Sequence, residues 1–461
     1  MPIQLSIRLV PRTSPIKNED PDKEYPRMKT FFIKALFTLI HIVTLGQLKF
    51  SRSTEGNSLT MRLSDKLWWG YKFYGHPVRE PEKGKGIREY FHSHPASGFA
   101  AGKSEGGEPI AEAVISFAGD ILPIPPVKEG ANAHLLDDVS DFLFKADFRS
   151  ANLESPVVKD LPPNCPSTDM TAPPGMNNTA RAISLLTRKG SGINIFSTAN
   201  NHSLDQGTQG LLATLDFLDA EGLHHVGTAR DPEERDSFPI LEANGIRVAF
   251  LSWTFGLNDK SLPEGQEYLA NVLRINLPDA DLLPIISQVK QARERKADVV
   301  VLFLHWGLEY EVFPLAHQIE KAHLLIEGGV DIIAGNHPHS LQPSERYSYS
   351  DSSGVKREGL IFYALGDFIS PLPETAFSAL GTLARVKLVR LQNSKVGISS
   401  AEMKPIYFYR YSDTDIRVLD FLRLKQRLED GDFSGDPVLS NKHIKSIKKL
   451  MPVLEDLMPE R

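Results

Sequence analysis

From residue 113 onward the chain alternates short apolar runs with stretches of helical spacing, a pattern that predicts strands and helices in turn and hence an α/β core. Residues 113–118 (AVISFA) form a buried strand that stops at Gly119 and Asp120. The apolar segment 142–148 leads into Asn152 and Glu154. A helix is expected over 179–188, followed by a strand at 193–197 that empties into a loop holding Asn200, Asn201, His202, Asp205 and Gly207. Another helix spans 209–221, with a strand after it at 224–227. Residues 239–254 read as a hairpin, because Asn244 and Gly245 join two apolar runs and Asn-Gly suits a tight turn. A helix ending at Arg295 precedes the strand 299–304 (VVVLFL), which delivers His305, Trp306, Gly307, Glu309, Tyr310 and Glu311. Helix 314–326 and strands 331–334 and 359–365 follow, the last stopping at Gly366, Asp367 and Phe368. Residues 381–410 alternate apolar and polar side chains as antiparallel strands do, with a turn near Asn393 and Ser394. Helices are expected at 421–428 and 444–457. Lys445, Lys448 and Lys449 give the second a basic face, either solvated or turned to an acidic polymer or membrane.

The densest chemistry lies in DIIAGNHPHSLQP at 331–343, where the strand runs out at Gly335 into a loop carrying His337 and His339. In extended backbone, side chains two apart share a side, so the two imidazoles are expected to face one point. Pro338 between them has no N–H to donate and ends sheet pairing. A polar loop with two unrelated histidines would look the same on this stretch alone. The wider pattern separates the two readings. Strand after strand ends in a turn bearing His, Asn, Asp or Glu, which argues for one composite site built along a single edge of the core. The amides, imidazole and carboxylate packed into 200–205 are costly to bury unpaired, so they need a shared partner or solvent.

The first 110 residues are read as an extension, partly disordered over the charged arm 11–27. Residues 31–45 (FFIKALFTLIHIVTL) are apolar but interrupted by Lys34 and His41, and three readings fit them: a signal peptide if Met28 is the start, a membrane anchor, or an amphipathic helix on the body or on a membrane surface. An anchor or signal would make the protein membrane-associated or exported; otherwise it is cytoplasmic. Trp68, Trp69, Tyr71, Phe73 and Tyr74 are expected to pack the arm onto the body, with a sugar or polymer platform as the alternative. Residues 97–109, rich in Gly, Ala and Ser, read as a linker. The division expected is therefore 1–110, a main domain at 111–375, and C-terminal strands and helices at 376–461 packed on it. With 461 residues, 41% apolar and 24% charged, the chain has material for one large core or two. Its net charge of -6 gives no electrostatic case for nucleic acid. The single Cys165 rules out an internal disulfide and a thiolate metal cluster, and is read as an incidental thiol.

Taken together, GD at Gly119 and Asp120, ANLESP at 151–156, ANNHSLDQG at 199–207, HWGLEYE at 305–311, HPHSLQP at 337–343 and LGDF at 365–368 resemble the CapA family of poly-γ-glutamate capsule synthesis proteins. That family is related to the calcineurin-like metallophosphoesterases, and the resemblance covers about 114–369. It implies an α/β fold of metallophosphoesterase type: a β-sandwich flanked by helices (α/β/β/α), with an N-terminal extension and a C-terminal β/α extension. It also implies two divalent ions, one held by Asp120 and His339, the other by Asn201, His305 and His337, with Glu154 bridging. His202 corresponds to the histidine that contacts the phosphate or protonates the leaving group. Asn152, Asn200, Asp205, Glu309 and Asp367, in the same loops, are candidates for substrate contact. Imidazole with amide carbonyl suits Mn, Fe or Zn better than Mg or Ca. Paired divalent ions held by two carboxylates leave a net positive centre that attracts a phosphoryl or carboxylate anion.

Three positions depart from the superfamily pattern. Leu122 stands where a second metal-binding histidine is usual, Glu154 replaces the bridging Asp, and Asp367 stands where CapA relatives often have Asn. The function implied is a metal-dependent hydrolase of a phosphoester, or of an amide in an anionic polymer such as poly-γ-glutamate, linked to capsule or surface-polymer biosynthesis. In it, metal-bound hydroxide attacks and His202 assists the leaving group. The alternative is a non-catalytic polymer-binding or assembly component with a degenerate metal site. The partners expected are an anionic substrate or polymer, the surface-polymer machinery and, through 31–45, a membrane.

Overall fold

Val299–His305 is buried along its whole length, as a parallel strand covered on both faces must be. The computed structural model describes residues 63–458 except 74–76, 95–98, 101–107, 125–133, 165–174, 352, 371–376, 393–395, 411–415 and 431–440. The charged arm 11–27, Tyr74, Cys165, the turn at Asn393 and Ser394 and, save for five helical positions between 35 and 42, the apolar run 31–45 lie outside the described residues. Among the described residues no helix is long and apolar enough to cross a membrane.

In chain order the strands are β1 (Phe99–Ala100), β2 (Pro109–Ile121), β3 (Phe148–Leu153), β4 (Ile195–Ser197), β5 (His224–Val226), β6 (Ile240–Ala243), β7 (Ile246–Thr254), β8 (Val299–His305), β9 (Ile332–Asn336), β10 (Ser344–Ser350), β11 (Lys356–Phe362), β12 (Asp367–Ile369), β13 (Leu380–Leu391), β14 (Val396–Arg410) and β15 (Ile416–Asp420). They form two sheets. The first runs β1-β14-β13-β2-β3-β4-β5, with β12 beside β2 and β15 beside β14; the second runs β10-β11-β9-β8-β7-β6. Within the first, β2 to β5 are parallel, and in the second β7, β8, β9 and β11 are parallel. The polar ends of these parallel strands are thereby aligned.

The sheets pack face to face through aromatic side chains that alternate inward along each strand. Phe117 on β2 meets Phe303 on β8 at 6.2 Å between ring centroids and Phe362 on β11 at 6.0 Å, while Phe148 on β3 meets Phe250 on β7 at 5.7 Å. Helices cover the outer faces: Ser140–Phe144 and Ala180–Thr187 bury Leu143, Ile183 and Leu186 against the first sheet, and Leu283–Glu294 and Ala316–Glu327 bury Ile285, Val289, Ala322 and Leu325 against the second. This is the α/β/β/α sandwich expected. The hairpin is also as expected: Asn244 and Gly245 take φ of 52° and 77° between β6 and β7, the twist a two-residue turn requires.

Other elements differ from the pattern-based reading. The strand expected over 359–365 is β11, which ends at Phe362. Beyond its end the Tyr363 carbonyl crosses Gly335, passing 1.9 Å from where a Cβ there would stand. The hairpin partner β10, SERYSYS, has no apolar period to reveal it, since its burial falls away along its length and it lies at a sheet edge. β15, which pairs with β14, is likewise additional to the elements the pattern predicts. β2 begins at Pro109, inside the stretch read as a linker, and β1 pairs with β14.

Two glycines set the approach of β12 to β2. A Cβ on Gly119 would lie 1.8 Å from the carbonyl oxygen of Gly366, and Gly366 itself has a φ of 73°. The missing side chains let the Asp120 N–H reach the Gly366 carbonyl at 3.1 Å and bring Asp120 and Asp367 into register. Gly119→Ala is therefore expected to destabilise the fold by about 1–3 kcal/mol or more, because backbone cannot step aside as a side chain can. Denaturant unfolding measures this, and an unchanged midpoint would contradict the contact.

Candidate metal centre

The ends of β2, β3, β8, β9 and β12 and the loops that follow them deliver Asp120, Glu154, His305, His337, His339 and Asp367 to one buried region, and the loop after β4 adds Asn201 and His202. All of these residues are 7% exposed or less. The centre of the group is Glu154. Its Oε1 lies 3.4 Å from His305 Nε2, 3.7 Å from His339 Nε2 and 4.0 Å from His202 Nε2, yet neither carboxylate oxygen accepts a hydrogen bond among the described residues. Burial, and then the charge of Asp120, push its carboxyl well above the usual range.

Asp120 is fully buried; its Oδ1 accepts from Asn152 Nδ2 at 2.7 Å and its Oδ2 from the His337 backbone N–H at 3.0 Å. Burial raises its pKa to about 7, against the opposing pull of His339. His305 Nε2 lies 2.8 Å from Asn201 Oδ1, and its Nδ1 3.2 Å from Asn152 Nδ2. Burial and the neighbouring imidazoles hold His305 and His337 well below the ordinary histidine value, so both are neutral, the form in which imidazole binds a metal. His337 Nδ1 is buried with no hydrogen-bond partner among the described residues. Burial disfavours charge on His339 too, but Glu154 and Asp367 outweigh it and raise its pKa well above the ordinary value. Its Nδ1 lies 2.8 Å from Asp367 Oδ1.

The two histidines of the HPH loop do converge, with ring centroids 6.1 Å apart, but not by strand alternation. His337 has a φ of 98° and His339 of 48°, so both lie in the left-handed region instead of extended backbone. For residues with a Cβ such conformations cost about 1–3 kcal/mol each and cluster where function over-determines the backbone. Tyr310, with a φ of 60°, shares this feature.

The remaining sequence candidates surround this group. His202 Nδ1 is 2.8 Å from Asp205 Oδ2, which also accepts the Met176 N–H at 2.9 Å, so the His202 Nε2 edge faces Glu154. The side chain of Asn200 is occupied by backbone: Nδ2 donates to the Leu153 carbonyl at 2.8 Å and Oδ1 accepts the His202 N–H at 3.1 Å. Glu309 accepts from the Trp69 indole N–H, which fastens the helix Leu63–Phe73 to the loop after β8. In the same helix Lys72 forms a buried ion pair with Glu311 at 2.7 Å. Trp69 and Phe73 pack on Tyr310, as expected of an aromatic cluster that joins the arm to the body. The Tyr310 ring in turn stacks on His339 at 6.0 Å.

Three contributors are not marked as site residues by the sequence pattern. Phe255 sets its ring 4.4 Å from that of His337; Asn258 Oδ1 accepts from Asn201 Nδ2 at 3.1 Å; and Tyr310 covers His339. The first two are placed by the pairing of β7 with β8: Thr254 at the end of β7 is in register with His305, so the residues just after Thr254 emerge beside the site.

Groups of donor atoms within 4.8 Å of one another are formed by Glu154, His337 and His339, by Asp120, Glu154 and His305, and by Asp120, His339 and Asp367. Donors about 2.1 Å from a common tetrahedral ion lie about 3.4 Å apart. The 3.4 Å between His305 Nε2 and Glu154 Oε1 matches that, whereas Asn201 Oδ1 at 2.8 Å sits at hydrogen-bond distance from the same nitrogen; among the described residues the Glu154 oxygens have no hydrogen-bond partner and want a positive one.

The fold and this cluster define a two-sheet α/β sandwich whose strand ends converge on candidate metal ligands. The profile of the family described as "Bacterial capsule synthesis protein PGA_cap" matches residues 114–372, and the chain belongs to that family. It is 31% identical over 259 residues to "Capsule biosynthesis protein CapA" of Bacillus anthracis, covering 55% of this chain and 59% of the relative. To "PGA biosynthesis protein CapA" of Bacillus subtilis (strain 168) it is 30% identical over 262 residues, covering 55% and 62%. The chain thus spans about 60% of the length of these curated relatives. Among solved structures, the sulfate thiohydrolase SoxB of Thermus thermophilus in complex with glycerol is similar at 17% identity and a TM-score of 0.31, over 59% of this chain and 39% of that one.

Between about pH 4 and pH 7 folded Asp120 holds a proton that the unfolded chain has lost, so this group's contribution to stability falls as pH rises through that window. In metal-free protein at pH 8, Asp120→Asn should therefore raise the unfolding midpoint relative to wild type, and the gain should vanish near pH 4. Thermal unfolding at the two pH values checks this; a variant less stable at pH 8 would contradict a buried, ionised Asp120.

Proposed function

We propose that the cluster holds two divalent cations, probed best with Mn, Fe or Zn, and that the protein is a hydrolase of an anionic substrate in capsule or surface-polymer synthesis. The observation that carries this reading is Glu154, a fully buried carboxylate with three imidazole Nε2 atoms within 4.0 Å and, among the described residues, no hydrogen bond to either oxygen. Asp120 and His339 would hold one ion, Asn201, His305 and His337 the other, and Glu154 both. Paired ions supply an activated water and a clamp for the anionic group under attack.

The chain's own residues do the rest. Asn152 orients Asp120 through the 2.7 Å bond, and Asn258 orients Asn201 through the 3.1 Å bond. His202 carries a proton to the leaving group at Nε2, because Asp205 engages Nδ1 and fixes which edge faces the centre. Asn200 holds the backbone of that loop, which places His202. Phe255 and Tyr310 wall the site with ring surface against His337 and His339 and keep bulk water away from the buried charges. Glu309, held by the Trp69 indole N–H, adds negative charge near Glu154.

The names of the Bacillus relatives, capsule biosynthesis and PGA biosynthesis proteins, support an anionic polymer as the setting. They do not specify the bond that is cut, so a phosphoester and an amide of poly-γ-glutamate are both to be assayed.

His202→Ala should retain its metal and lose about 10²–10⁴ in kcat on whichever substrate wild type turns over, the usual worth of a positioned proton donor. Metal content and steady-state rates on aryl phosphate mono- and diesters and on poly-γ-glutamate test this together. Full metal occupancy with no turnover of any of them would favour a polymer-binding or assembly role and overturn the hydrolase reading.

A further inference from the structure

Leu122 cannot ligate, and it is buried with its backbone N–H bonded to the Ile369 carbonyl at 2.9 Å. The strand that closes over it is β12, whose first residue is Asp367. Because β12 runs parallel to β2 with Asp367 in register with Asp120, the two carboxylates stand side by side on one face. The glycine before each makes the approach close: Gly119 and Gly366 touch where any Cβ would block them.

His339 sits against this pair. Its Nδ1 lies 2.8 Å from Asp367 Oδ1 and 4.0 Å from Asp120 Oδ2, and its Nε2 faces Glu154 Oε1 at 3.7 Å. A neutral imidazole that donates its Nδ1 proton to a carboxylate has its lone pair at Nε2, pointed at the position the donor set leaves for an ion. Carboxylates that engage metal-binding histidines in this way fix the tautomer, orient the ring and raise ligand basicity.

We propose that Asp367 is the positioning carboxylate of the His339-side cation: it accepts the Nδ1 proton of His339, aims Nε2 at the ion, and supplies negative charge beside Asp120 where Leu122 supplies none. The inference rests on the two-cation reading above. It assigns Asp367 to the metal centre instead of to substrate contact, and it explains how that half of the site binds an ion with one ligand position lost to leucine.

The test uses the full chain and zinc, with wild type, Asp367→Asn and Asp367→Leu. Asparagine keeps an acceptor for the Nδ1 proton and removes the charge; leucine removes both. Calorimetric titration with Zn²⁺ should show two binding steps in wild type, one of which disappears in Asp120→Asn and is thereby assigned to the His339 side. That step alone should weaken in the Asp367 variants, by about 10-fold for asparagine and about 100-fold for leucine. In the zinc-loaded protein, ¹⁵N spectra of the histidine rings should show His339 protonated at Nδ1 in wild type and in Asp367→Asn, with that signal lost in Asp367→Leu. Should leucine fail to fold, the asparagine variant carries the test by itself. Two intact zinc steps with affinities within threefold of wild type in the variants would overturn the role of Asp367 while leaving the two-cation reading in place. A wild-type chain that takes up no zinc would overturn the two-cation reading, and this inference with it.

Discussion

Glu154 sets the terms for the rest of the molecule. A carboxylate removed from water costs several kcal/mol unless charge or hydrogen bonds replace the lost solvation. Among the described residues neither Glu154 oxygen is hydrogen-bonded, and the three imidazoles nearest to it are those of His305, which burial holds neutral, His339 and His202. Asp120 and Asp367 add further acid nearby, and each raises the proton affinity of Glu154. A protein assembled for stability alone would fill this space with apolar side chains. Three buried acids set against imidazoles of which His305 and His337 are held neutral have a physical purpose when cations balance them.

Holding those groups together takes unusual backbone. The sandwich aligns strand ends from both sheets, but strand ends alone leave side chains too far apart or facing away. Left-handed residues at Tyr310, His337 and His339 turn the loops inward, and glycines at positions 119, 335 and 366 let neighbouring segments touch. The aromatic packing between the sheets and the N-terminal helix, tied on by Trp69 and Lys72, supplies the energy that offsets such strain. The segment 63–82 lies outside the family match at 114–372, yet Val78 donates to the Tyr310 carbonyl and accepts from the Val312 N–H, both at 2.9 Å. One wall of the centre therefore depends on residues that lie outside the family match.

Much of this was legible in the sequence, for identifiable reasons. A short, Val-rich apolar run such as 299–304 suits a strand covered on both faces, and Asn244-Gly245 suits a tight turn, so the core of both sheets was legible from texture. The polar residues at strand ends announced a composite site, and the structure brings Asp120, Glu154, Asn201, His202, His305, His337 and His339 into one place. The features that escaped have no local period. β10 alternates polar residues at a sheet edge, β12 is three residues long, and the left-handed turn of the HPH loop is imposed by its surroundings. Asp367 was visible as an extra acid, but its neighbour His339 lies 28 positions earlier in the chain, and only the register of β12 against β2 brings the two together. Asn258 and Phe255 are brought to the site by the register of β7 against β8, which no local pattern in the sequence shows.

The account stands or falls on whether Glu154 is surrounded by cations. Equilibrium dialysis of the full chain against Mn²⁺ or Zn²⁺, with bound metal counted by mass spectrometry, tests this directly when wild type is compared with Glu154→Gln, which keeps the shape and removes the charge. The account predicts close to two ions per wild-type chain and a loss of at least one in the variant. Equal metal content in the two, or none in wild type, would contradict it.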